Sequence, residues 1–219
     1  SGTDSSLQIA AITQIISDKD ITHVLVASDE TGSGVPAALK GCHFENTTAL
    51  NYPVKKGDKI EGFRDIDLIK IPFRDDNGDL KSSDQLDKEV FNAISETNKL
   101  GRHVVLHAMD QSKLGYQSPS EKMIQKLDTL NNLSMQIIVD GSQLRLDPKD
   151  IQNYLNKDIG AYVQHRDWFL YKTKIADMEV FDSRDTIIDL IYRNHATRFY
   201  IFQYTNQLIN LLSLWVSFG

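Results

Sequence analysis

Three short loops concentrate the residues of this chain that could do chemistry. The first holds Asp29, Glu30, Thr31, Gly32 and Ser33. The second holds Asp110, Gln111, Ser112, Lys113 and Gly115, and the third Asp140, Gly141, Ser142 and Gln143. Asp140 follows an apolar run, Met135–Val139, so its carboxylate stands at the mouth of a buried strand. A charge in that position is costly unless a cation meets it. The protonated ring nitrogen of a cofactor is one suitable partner. Capping of the next turn, or a pair with Arg145, is the other reading. A further candidate lies at the start, where Ser1-Gly2-Thr3-Asp4 precedes an amphipathic run through Leu7, Ile9, Ile12, Ile15 and Ile16. Thr3 or Asp4 can cap that helix, and small residues ahead of a helix N-terminus suit an anion or phosphate. An ordinary N-cap explains the same four residues. With no initiator Met and no strand before it, the sequence reads as an internal piece of a larger protein. Thr31–Gly34 has no P-loop lysine, and no Gly-x-Ser-x-Gly elbow of an α/β hydrolase is present.

These loops need a frame, and the pattern between them supplies one. Thr22–Ala27, Ile66–Ile71, His103–Ala108, Met135–Val139 and Gly160–Gln164 read as strands. A short helix from Pro36, and helices over Ser83–Leu100, Pro119–Leu130 (capped by Ser118) and Asp147–Leu155, separate them. Strands alternating with helices mean a three-layer α/β/α fold with a mainly parallel sheet. Ligands of such sheets bind beyond the carboxyl ends of the strands, which is why the three loops matter. His107 lies on a strand and reads as a core residue.

Composition narrows the class. The 219 residues carry a net charge of −6, which argues against a nucleic-acid or anionic-membrane surface. Cys42 is the single cysteine, so no internal disulfide forms and a cytoplasmic setting is expected. No apolar stretch is long enough to span a membrane. The composition breaks near Gln164. All five prolines precede the break, and of the twelve glycines only Gly219 follows it. Aromatic residues crowd the part after it, which has almost no turn vocabulary. An irregular or helical tail over 165–219, with helices at Asp182–Arg193 and Gln203–Leu214, is expected. A shifted reading frame is one account of the break and natural divergence another. In an out-of-frame tail, Trp168, Phe199, Phe202, Trp215 and Phe218 would stay exposed and the sheet would keep an unpaired edge.

The order Ser-Gly-Thr-Asp, Glu-Thr-Gly-Ser-Gly, Met-Asp-Gln-Ser-Lys-Leu-Gly and Val-Asp-Gly-Ser-Gln resembles the large domain of fold type I pyridoxal-phosphate enzymes. It is most similar to bacterial proteins of the class V aminotransferase type, from Ser1 to about Gln164. The resemblance implies transamination or elimination on an amino-acid-like substrate, and a homodimer for the intact relative. It implies that Gly2 and Thr3 hold the phosphate of pyridoxal 5'-phosphate and that Asp140 keeps the ring nitrogen protonated. Gln143 would contact the ring hydroxyl region, Asp110 and Ser112 would flank the cofactor, and the Glu30–Gly34 loop would approach cofactor or substrate. The family's Schiff-base lysine should follow the strand ending at Gln164. Here His165-Arg166-Asp167-Trp168 follows, and Lys172 and Lys174 are displaced, so an inactive fragment is expected. The other reading is a non-catalytic α/β module that binds a phosphorylated small molecule.

Overall fold

The computed structural model describes residues 2–48, 51–130, 132–140, 161–164 and 169–172. It divides into two compact units. One comprises Ser1–Asp18, Gly32–Ile66 and Asp182–Gly219, the other Lys19–Thr31 and Asp67–Phe181.

The first unit contains helix α1 (Gly2–Ile16) and the short helix α2 (Val35–Leu39). α1 has begun by Gly2, so Thr3 and Asp4 lie within its first turn and neither is the expected N-cap. The Thr3 side chain packs on the loop before α2 instead. A Cβ at Gly34 would lie 2.8 Å from Thr3 Cγ2 and 3.2 Å from Phe44 Cβ, so only glycine lets these segments meet. At the other end of α1, Arg64 donates to the carbonyls of Gln14 (2.7 Å) and Ser17 (2.6 Å). Those carbonyls have no partner within the helix, and a cation there suits the helix dipole.

The second unit is built on the sheet. Its strands are β1 (Ile21–Val26), β2 (Ile66–Ile71), β3 (His103–Met109), β4 (Met135–Asp140), β5 (Ala161–Gln164) and β6 (Phe169–Lys172), in the order β2-β1-β3-β4-β5-β6. β1, β3, β4 and β5 are mutually parallel, and the protein has an α/β fold. Every residue of β1 and of β3 is buried, as covered parallel strands require. Alternation places Val24, Val26, Val104, Leu106, Ile137 and Val139 in one core. Leu86, Val90 and Ile94 of α3 (Ser83–Lys99) and Met123, Ile124 and Leu127 of α4 (Glu121–Asp128) join them. α3 opens with a reciprocal capping box: Ser82 Oγ accepts from Gln85 N, and Ser82 N donates to Gln85 Oε1.

Two expectations are corrected here. α4 starts two residues later than predicted and is capped by Ser120, whose Oγ accepts from Met123 N. Ser118 cannot cap it, because its backbone bonds Met109 in both directions, at 2.8 and 3.0 Å. The second correction falls after Gln164. Phe169–Lys172 forms a strand antiparallel to β5, so β5 is not an unpaired edge. Phe, Leu and Tyr favour a pleated surface, and only four residues separate the two strands, which permits antiparallel pairing alone. The predicted helices at Asp147–Leu155, Asp182–Arg193 and Gln203–Leu214, and the aromatic residues Trp168, Phe199, Phe202, Trp215 and Phe218, lie outside the described residues. Among the described residues no helix is long and apolar enough to cross a membrane.

Candidate functional site

Strand order locates the site within the second unit. The chain leaves β1 for β2 on one side and returns to β3 on the other. The loops after β1 and β3 therefore part company, and ligands of doubly wound sheets bind at such a divide.

The loop after β1 opens with Ala27 at φ 57°, a left-handed conformation that side chains rarely adopt. Asp29 and Glu30 follow, and they have different work. Asp29 Oδ1 accepts from Phe73 N at 2.8 Å and its Oδ2 from Arg74 N at 3.2 Å, so its carboxylate fastens the chain leaving β2. Arg74 Nη1 lies 3.3 Å from Asp29 Oδ2 and 2.9 Å from Glu30 Oε1. The hydrogen bond to Glu30 is the main reason the Arg74 guanidinium is held even more firmly charged than usual. Glu30 is buried, its side chain 5% exposed, and among the described residues its Oε2 has no hydrogen-bond partner.

The loop after β3 begins at Asp110, whose N–H donates to Asp140 O at 3.2 Å. Met109 and Asp140 are register partners, and Asp140 is in turn paired with Gln164 of β5. The structure thus brings Asp110 and Asp140, both half-buried, to the carboxyl ends of adjacent parallel strands. Ser112 is buried, and its Oγ accepts from Leu114 N and Tyr116 N, so this hydroxyl builds its own loop. Tyr116 meets Phe73 edge-on, with ring centroids 5.9 Å apart, and so links the β2 and β3 loops. Gly2 and Thr3 belong to the first unit, where Thr3 lies against Gly34. Gln143 lies outside the described residues.

Sequence reasoning placed His107 in the core, and it is buried there. It missed the partner. His23 Nδ1 and His107 Nε2 are 2.7 Å apart, on β1 and β3. Register explains the pairing: His23 is opposite Val105, two residues before His107 on the same face. Burial pushes His107 down to about 3, and burial, followed by the neighbouring His107 and His103, holds His23 well below its ordinary value. Both rings are neutral at physiological pH. One donates to the other, and among the described residues His23 Nε2 has no partner. Among the described residues no group of three metal-ligating side chains occurs.

No protein-family model matches the chain, and no curated protein matches it.

Proposed function

We propose that this chain is the cofactor-domain portion of a pyridoxal-phosphate-dependent enzyme acting on an amino-acid-like substrate in a cytoplasmic setting, and that as written it lacks the means of catalysis. The observation that carries the reading is the Asp110–Asp140 pair at the carboxyl ends of β3 and β4. The family resemblance assigns these positions to the cofactor's flank and to its ring nitrogen. A carboxylate at the mouth of a buried strand fits a cationic ring nitrogen, because each offsets the desolvation of the other. When bound, the cofactor supplies an electron sink for bonds at the substrate α-carbon. Asp140 would hold the proton on the ring nitrogen, and Asp110 would fix the adjacent loop through its N–H to the Asp140 carbonyl. For the phosphate, the resemblance alone names Gly2 and Thr3.

The nucleophilic amine is missing. The four residues between β5 and β6 are His165, Arg166, Asp167 and Trp168, none of them lysine. The wild-type chain, mixed with pyridoxal phosphate and reduced with borohydride, is expected to carry no specific lysine adduct. Asp167→Lys or Trp168→Lys is expected to gain one, and Asp140→Asn in the same background to lose it. Failure of both lysine variants refutes the reading. Stoichiometric trapping of the wild type on Lys172 or Lys174 would return the chain to the active enzymes. The second reading, a non-catalytic module for a phosphorylated small molecule, is favoured by the missing lysine. It predicts phosphate binding that is lost in Thr3→Ala and indifferent to Asp140.

A further inference from the structure

We propose that Glu30 anchors a subsite at the carboxyl end of β1 that takes the protonated amine of a ligand. The inference stands on the loops after β1 and β2 and does not require pyridoxal phosphate. Two adjacent carboxylates and one guanidinium make up the cluster, and their contacts divide the roles. Both oxygens of Asp29 are occupied by backbone N–H groups of Phe73 and Arg74, so Asp29 is structural. Glu30 gives one oxygen to Arg74 and keeps the other buried with no donor among the described residues. A buried acceptor without a donor is a standing cost, and a fold carries it where something else completes the bond.

Charge selects the chemistry of the missing group. Asp29 and Glu30 contribute two negative charges and Arg74 one positive, leaving the cluster one charge negative. A neutral hydroxyl would satisfy Oε2 and leave that charge, whereas an ammonium satisfies both. The place also suits a ligand. Glu30 sits three residues past Ala27, whose left-handed backbone turns the chain at the divide between the β1 and β3 loops.

The test uses the full chain with no cofactor added. n-Propylammonium is titrated at constant ionic strength, with 1-propanol as the neutral match, while amide NMR shifts of residues 28–31 and 74 are followed. Glu30→Gln is the variant, because its amide oxygen keeps the Arg74 bond and only the free acceptor is neutralised. Saturable shifts with the ammonium, none with the alcohol, and affinity about tenfold or more weaker in Glu30→Gln are expected. Absence of saturable ammonium binding to the wild type overturns the proposal and leaves a buried water as the occupant of Oε2. Equal affinity in a folded Glu30→Gln, or equal response to 1-propanol, overturns it as well. If Glu30→Gln does not fold, the ammonium–alcohol comparison on the wild type decides alone.

Discussion

Acidification should destabilise this protein through its buried histidines. His107 is buried, 6% exposed, shares a hydrogen bond with another neutral imidazole, and is held near 3 by burial. In the unfolded chain it titrates near 6.5. Its folded value is depressed, so the fold favours the neutral form. The associated stability is complete above the unfolded value and is lost as pH falls from 6.5 toward 3. Proton linkage puts the loss from His107 alone at about 2 kcal/mol between about pH 7.5 and about pH 5, with a ceiling of about 5 kcal/mol below both values. His23 titrates in the same sense and adds to it. For a domain of ordinary stability this is a large fraction of the total. Urea denaturation followed by far-UV circular dichroism across that window measures the slope. His23→Gln with His107→Gln removes two of the titrating groups and should reduce the slope, leaving the smaller part that the lowered His103 carries. A wild-type stability that changes by less than about 0.5 kcal/mol over the window, or a His107 imidazole whose NMR shifts titrate near 6.5, refutes the reasoning.

Other perturbations test separate parts of the structure. Ile94→Ala removes a fully buried side chain from the α3–sheet core and should cost about 2–5 kcal/mol in urea denaturation. Arg74→Ala strands the buried Glu30 carboxylate and should lower the urea midpoint, much of the loss being recovered in the Arg74→Ala, Glu30→Gln double variant. Gly34→Ala drives a methyl into Thr3 Cγ2 and should cost about 1–3 kcal/mol, relieved in part by Thr3→Ser, which removes that carbon. Ser82→Ala breaks the capping box of α3 and should lower stability by about 0.5–2 kcal/mol, read as a shift in thermal midpoint.

The elements were legible in the sequence because their signals are local. Runs of five or six residues rich in Ile, Val and Leu marked β1, β2, β3 and β4 to within a residue. The 3.6-residue spacing of Leu86, Val90 and Ile94 marked α3. The alternation of strand and helix entailed a parallel sheet, because a crossover returns a strand in the same direction. It likewise put Asp29, Glu30, Asp110 and Asp140 at carboxyl ends of strands. The cap of α4 was misread because Ser118 and Ser120 are equally good caps by type. What disqualifies Ser118 is its backbone pairing with Met109, nine residues away in the chain. The strand at Phe169–Lys172 was missed because four residues carry too little periodicity to speak for themselves; β5 beside it supplies the reason to extend. Tertiary structure alone decided the pairings. No spacing reveals that His23 meets His107, since 84 positions separate them and only the β1–β3 register aligns them. No pattern distinguishes Asp29 from Glu30 either. Residue type sets what a side chain can do, but which of two adjacent carboxylates keeps a free oxygen depends on donors that arrive from the end of β2.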